Sequence, residues 1–426
     1  MKGRVFSVCV AVCLLVGLFV LGAHKAYGEK PILLGVPTAL GFLEGKEGLA
    51  AVEMAVEEIN KAGGVKVGDK KLPFKVVSLD TRCAEPGIPV AEVIKGHKKL
   101  ILEDKVNFIV LGTFRSEAAV ACMDLVSQYK IPMLLSIAMT PVVEQKVKED
   151  YNKYKHTFRV CLNSVYLVKY LAGTMGYINK EFGFNKVYIM HQDVAWARKT
   201  AEILSQDVLK KAGWEVVGLE AYPTGAVDFS SGLTKAKEGN AQVILPIFDM
   251  PTSGVLVKQW KTMKVPALLC GFISPLAGPG AWQAFDKQIA GALNMIFEVG
   301  NIPSQKVPKS VEFYNNYQKK YGKPIESGHA PAPAYESVYI LKEAIEKAGS
   351  IDGDKVVEAL EKTDREGAMG RIKFDNGHQV IFGEDPKEAA VGAMYQWNEK
   401  GERVIVYPSS LAEGKIQLPE GLKAGK

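Results

Sequence analysis

Short apolar runs and amphipathic stretches alternate along most of this chain. The clearest unit is VNFIVLGTFRSEAAVACMDLVSQYKIPMLLSIAMTP, residues 106–141. Residues 106–111 are apolar except for Asn107, the pattern of a parallel strand buried on both faces. Gly112-Thr113-Phe114-Arg115 turns the chain, and Ser116 stands where a helix N-cap belongs, with Glu117 just inside the first turn. Residues 118–129 set Val120, Met123, Leu125 and Val126 at helical spacing. Residues 131–135 read as a second buried strand, and 136–140 as the loop at its end. The unit therefore predicts two polar loops, carrying Ser116 and Thr140, at the carboxyl ends of neighbouring parallel strands. In open α/β sheets that edge binds ligands.

The same rhythm runs on either side. Strands are predicted at 31–36, 72–79, 186–190, 215–221, 243–248 and 267–270. Helices are predicted at 48–62, 90–103, 165–182, 199–212, 229–237, 254–263, 310–321, 334–348 and 353–362; Gly63-Gly64 stops the first of them. Strands alternating with helices, twice over, predict an α/β protein with two Rossmann-like lobes and parallel central sheets. Three extended links, at 158–162 (after a Lys-rich connection, 146–155), 290–298 and 370–374, read as crossings between the lobes. Lobe 1 is then 29–157 plus 300–367, and lobe 2 is 158–299 plus 368–426. Residues 394–397 and 403–407 make a terminal strand pair, and the tail after Pro408 is polar and loose.

The first 28 residues do not fit this rhythm. A basic start (Lys2, Arg4), an apolar run over 5–22 and small residues at Ala26 and Gly28 predict a secretory signal peptide cut after Gly28. The alternative is a membrane anchor, for which the run is about long enough. Cys9 and Cys13 lack the upstream small residues of a lipoprotein cleavage site. Losing Lys2, Arg4 and Lys25 with the leader lowers the net charge from +6 to +3. Lys and Glu are mixed along the rest, so no basic block argues for nucleic acid. These features predict a soluble periplasmic protein, a monomer, of two domains.

Chemistry is sparse. Cys83, Cys122, Cys161 and Cys270 show no metal-ligand spacing and read as buried small residues, with a single disulfide as the alternative. No H-E-x-x-H, G-x-S-x-G or complete phosphate loop is present. Residues 41–46 come near one, but are a residue short, and Glu47 stands where Ser or Thr is needed. His191, ending a strand, is the one candidate general base. The reading is a binding protein without cofactor or metal, not an enzyme.

Several stretches carry a resemblance. They are the Gly41 loop feeding a helix that ends Ile59-Asn60-Lys61-Ala62-Gly63-Gly64, Leu79-Asp80 ahead of Cys83, and the Ser116 turn. Ile131-Pro132 with Ser136 and Thr140, Phe158-Arg159, and Ala334-Tyr335-Glu336-Ser337-Val338 complete the set. In their order and spacing the chain resembles the type I periplasmic solute-binding proteins of the branched-chain amino acid uptake family, over nearly all of 29–407. The resemblance implies two lobes joined by three strands, closing on a small ligand that is handed to an ABC permease in the inner membrane. A sensing module that presents ligand to a receptor is the alternative. The resemblance implies ligand contacts from Phe42 and Leu43 in the first loop and from the Ser116 turn, beside which Phe114 and Arg115 are candidates by position. Ala138, Met139 and Thr140 match the second lobe-one loop. Trp196 matches an aromatic ring that covers the ligand from lobe 2, from a loop position; ordinary packing is the alternative.

Two departures stand out. Amino acid binders of this family carry an acid after the strand equivalent to 267–270, where this chain has Phe272-Ile273-Ser274. Asp249 or Glu44 could replace it, or Asp249 could be a turn residue. The family's partner to Cys83 would fall near Phe114, so that bridge is absent unless Cys83 finds another cysteine. Arg115 reads either as a carboxylate clamp or as a salt bridge between lobes. With Phe248, Met250, Phe272 and Ile273 as an apolar wall, the expected ligand is a small carboxylate with an apolar or aromatic body. A branched-chain or aromatic amino acid is the alternative.

Overall fold

The computed structural model describes residues 30–418 and 422–425; the leader, its cut after Gly28, Cys9 and Cys13 lie outside them. The chain lays down β1 (Ile32–Thr38), a hairpin of β2 (Val65–Val67) and β3 (Lys70–Leu72), then β4 (Phe74–Asp80), β5 (Phe108–Leu111), β6 (Met133–Leu135) and β7 (Thr157–Arg159). Five of these form a parallel sheet in the order β4-β1-β5-β6-β7. Pro73 separates β3 from β4, because it has no N–H to continue a ladder, so the strand predicted at 72–79 is two pieces. β8 (Lys186–Gln192), β9 (Glu215–Tyr222), β10 (Val243–Phe248), β11 (Leu268–Ile273) and β12 (Leu293–Ile296) follow. After a second hairpin, β13 (Asp364–Gly367) and β14 (Gly370–Lys373), come β15 (Ala393–Trp397) and β16 (Arg403–Tyr407). The second sheet runs β16-β15-β12-β11-β10-β8-β9, with parallel pairing except at β12-β15 and β15-β16, so that β15 alone is reversed.

Period-two alternation sorts the strand residues onto two faces. In the first sheet, Phe108 and Val110 join the core with Val52, Ile59, Val338 and Leu341. Ile109 faces the opposite core with Leu100, Met123 and Val126. The helices Leu43–Lys61 and Pro331–Ala348 thus share one face, although almost 300 residues of sequence separate their starts. The Tyr335 and Tyr339 hydroxyls both donate to Glu58 Oε2, at 2.6 and 2.9 Å. In the second sheet, Val187, Ile189, Leu245 and Phe272 belong to the same continuous core as the first sheet, whereas Tyr188, Met190, Phe248 and Ile273 face away.

Three expectations are corrected. Ser116 is the first residue of the helix Ser116–Tyr129; Arg115 holds the cap position and no side chain caps it. Trp196 is not on a loop but in the first turn of the helix Ala195–Ile203, which starts earlier than predicted. The Lys-rich stretch after Pro141 contains the helices Val142–Glu149 and Tyr151–Tyr154, hidden because only Val143, Glu144 and Val147 of the first are buried. The extended link predicted at 370–374 is extended, mostly as the hairpin strand β14. Gln379 forms the parallel bridge to Arg159.

Candidate functional site

The segments after β1, β5 and β6 meet the end of β11 and the segments after β8, β10 and β12 around one buried cavity. Ile137, Met139 and Phe114 line it from the first sheet, together with Glu44. Trp196, Asp249, Phe272 and Phe297 line it from the second, and His329 closes it. The cavity offers about 20 Å³ to water centres, room for roughly one water molecule.

The β5 loop reaches the cavity through a strained turn. Leu111 has φ +66° and Gly112 φ +71°. A non-glycine residue there costs about 1–2 kcal/mol, and a Cβ on Gly112 would lie 2.6 Å from Leu135 Cδ2. Strain of this kind collects at functional loops. The turn delivers Ser116 to a helix N-terminus, where backbone N–H groups lack intrahelical acceptors. Its Oγ is buried without a hydrogen-bond partner, as are the hydroxyls of Thr38 and Thr113.

Arg115 lies across both sheets' loops. One terminal nitrogen donates to Asp249 Oδ2 at 2.6 Å and the other to the Ala84 carbonyl at 3.1 Å. Its guanidinium sits over the Phe114 ring, 5.1 Å from the centroid, and 5.8 Å from that of Phe42. Asp249 Oδ2 also accepts from Trp196 Nε1 at 2.8 Å, while Oδ1 is buried without a partner. Gln192 fixes this loop by accepting from the Asp249 and Met250 amides. Glu44 accepts from Ser274 Oγ at 2.6 Å. Burial pushes its carboxyl up to about 7, against the pull of that hydrogen bond. His329 donates from Nε2 to the Ile137 carbonyl at 2.8 Å and from Nδ1 to both Glu298 oxygens at 3.1 Å. Burial opposes its charged form, but the Glu298 carboxylate outweighs burial, so the ring is held well above its ordinary pKa. Two nitrogens donating at once fits an imidazolium. The remaining wall is aromatic: Trp196 meets Phe272 edge-on at 6.2 Å, and Phe272 and Phe297 centroids are 4.2 Å apart.

The structure brings together Phe114, Arg115, Ser116, Met139, Trp196 and Asp249. Phe42 lies behind Phe114, its ring centroid 5.2 Å away, and Leu43 is half-buried at the helix start. Ala138 and Thr140 turn their carbonyls to Arg159. Phe248 packs with Tyr222 and Phe229, and Ile273 lies in the same outer core, so neither lines the cavity. His191 bonds the Gln192 carbonyl and lies outside the lining. Cys83, Cys122, Cys161 and Cys270 are buried free thiols. Among the described residues, no group of three His, Cys, Asp or Glu is placed to hold a metal, and no helix is long and apolar enough to cross a membrane.

A family model for periplasmic binding proteins matches residues 38–402. The chain belongs to the periplasmic binding protein family. It is 28% identical to a Leu/Ile/Val-binding protein homolog of Brucella suis, over 89% of this chain and 91% of that protein. Among solved structures, this periplasmic binding protein is similar to the branched-chain amino acid transporter substrate-binding protein LivJ of Streptococcus pneumoniae, in complex with isoleucine. The TM-score is 0.72 and the identity 21%, over 89% of this chain and 100% of that one. It is also similar to a solute-binding protein of an ABC transporter from R. palustris in complex with benzoate. There the TM-score is 0.71 and the identity 14%, over 92% and 99% of the chains. At these identities the two likenesses show the type I periplasmic binding protein fold.

Sequence reading missed Ile137, Phe297 and His329 in the cavity. The signal for His329 was faint: Gly328-His329-Ala330 precedes Pro331 and a helix, and Ala330 takes φ +88°.

Proposed function

We propose that this periplasmic binding protein is the substrate-binding component of an ABC uptake transporter, and that it takes a small carboxylate with an aromatic or branched apolar body. The observation that carries the ligand class is the cavity's make-up. Phe114, Trp196, Phe272 and Phe297 line it with Glu44, Asp249 and His329, Ser116 Oγ is buried unpartnered two residues after Phe114, and at about 20 Å³ the two sides must part to admit the ligand. The carboxylate docks on the Ser116 turn and the 138–140 loop, and Trp196 covers the body. Arg115 and Asp249 clasp the two sides. The lobes are 29–157 plus 300–367 and 158–299 plus 368–426; the leader is removed after Gly28. The mature chain is a monomer that catalyses nothing and serves an inner-membrane permease.

A hydrophobic amino acid is the second reading, favoured by one observation: Asp249 Oδ1 is buried and unpaired, an acceptor for an ammonium. Thermal-shift and calorimetric titration of the purified protein with benzoate, phenylacetate, leucine and phenylalanine separates the two. Ligand at about 100 times its Kd should stabilise by about 2.7 kcal/mol. Leucine or phenylalanine shifting the melt while the acids do not would overturn the acid-first reading. Silence from all four would overturn the ligand class.

A further inference from the structure

Arg159 lies outside the cavity and is fully buried, which is rare for arginine. Its Nε donates to Gln379 Oε1 at 2.7 Å. One terminal nitrogen donates to two carbonyls of the β6 loop, Ala138 O at 3.0 Å and Thr140 O at 2.7 Å. The other forms an ion pair with Glu144 on the following helix. Its backbone is tied as well: Arg159 N donates to His378 O at 2.8 Å, and Val380 N to Arg159 O at 2.9 Å. Gln379 Nε2 returns a bond to the Cys161 carbonyl at 2.9 Å.

One side chain therefore joins the loop that faces the cavity to two segments, around 159 and 379, that run side by side. With the carbonyls of Ala138 and Thr140 drawn back onto the guanidinium, the amides of 138–140 have no protein acceptor among the described residues. Where free amides converge they hold an anion. A buried ion pair is poor evidence of stabilisation, since well-packed apolar groups often do as well. A rigid five-donor fork that orients four partners at once is a reason to keep an arginine here.

We propose that Arg159 is the positioning residue that turns the amides of the 138–140 loop toward the ligand carboxylate and couples that loop to the 375–380 segment. This rests on the reading of that loop as the carboxylate dock. The test uses the full mature protein, with Arg159→Lys and Gln379→Leu, titrated with benzoate and with benzamide. Arg159→Lys should weaken benzoate by about 10- to 100-fold, the worth of one or two charge-assisted hydrogen bonds, and benzamide far less. General loosening of the fold would weaken both alike, and that outcome overturns the proposal. Gln379→Leu leaves the arginine and its charge in place. It should still move the amide NMR shifts of 138–140 in ligand-free protein, though residue 379 does not touch that loop. Wild-type shifts there would overturn the coupling. If neither compound binds the wild type, the ligand reading fails, and the shift experiment still decides the role of Arg159.

Discussion

Asp249→Asn is the sharpest perturbation of the clasp across the cavity. In the native protein one oxygen, Oδ2, holds both Arg115 at 2.6 Å and Trp196 Nε1 at 2.8 Å. The two charged side chains are only 12% and 9% exposed, so solvent screens the pair little. Removing one partner of a buried pair costs about 3–5 kcal/mol, mostly from the uncompensated charge left behind. Asparagine keeps one acceptor oxygen, and Ala84 O still takes one Arg115 nitrogen, so the lower figure, about 3 kcal/mol, applies. Because Arg115 follows β5 and Asp249 follows β10, the loss falls on the arrangement that brings the two sheets' loops together. At 1.36 kcal/mol per decade, ligand affinity should fall by about two orders of magnitude. The assay is calorimetric titration of wild type, Asp249→Asn, Arg115→Met and the double variant with whichever ligand the screen identifies. The cycle should return about 2 kcal/mol or more of coupling, since Arg115→Met removes the stranded charge. Affinity within threefold of wild type, or coupling below about 0.5 kcal/mol, would refute this account of closure. If leucine is the ligand, the same change also removes the ammonium's partner and should abolish its response.

Ser116→Ala should weaken the carboxylate by about tenfold while leaving the melting temperature unchanged, because the Oγ caps no helix and bonds nothing in the protein; a large drop in melting would show an undetected structural role. Glu44 is an acid whose pKa rises from 4.5 to about 7 on folding, so the folded state binds its proton more tightly. Its contribution to stability therefore falls as pH rises from about 4.5 to about 7, by roughly 3 kcal/mol. The stability of wild type minus that of Glu44→Gln, from urea melts, should decline over that window, and a flat difference would refute the assignment. Gly45→Ala should lower both stability and ligand affinity. Its Cβ would stand 2.1 Å from the Ala39 carbonyl, inside the loop that feeds Phe42; calorimetric melting matching wild type would show that the loop yields freely.

The parallel sheets were legible because their strands are buried on both faces and read as unbroken apolar runs, as at 243–248. The loops that the first sheet sends to the cavity were legible for a related reason: strand ends announce themselves where apolar runs stop, at Leu111 and Leu135. Side-chain direction was less so. Phe248 and Ile273 end strands β10 and β11 beside the site, yet the pleat turns both into the outer core, while Phe272, one residue earlier, faces the cavity. A one-residue difference reverses the face, and composition alone does not fix which residue it is. Ser116 illustrates a second limit, since N-cap and N1 positions differ by one residue and by the direction of a hydroxyl. His329 and Phe297 come from distant stretches and meet the cavity only through tertiary packing.

The helix Pro331–Ala348, packed beside Leu43–Lys61 on the first sheet, also bears on how the chain is made. The strands of that sheet are complete once residue 159 has been synthesised, but the tyrosines that grip Glu58, Tyr335 and Tyr339, arrive 176 and 180 residues later. At about 5–20 residues per second this delay is roughly ten to forty seconds. A chain held unfolded for export keeps Val52, Ile59 and their neighbours bare for at least that long. A nascent chain with such an interval is a natural client for a chaperone that shields apolar surface. Shortening the interval, by circular permutation that opens the chain before Pro308 and so places 308–418 ahead of residue 32, should reduce that dependence while keeping the same strand order in the finished sheet.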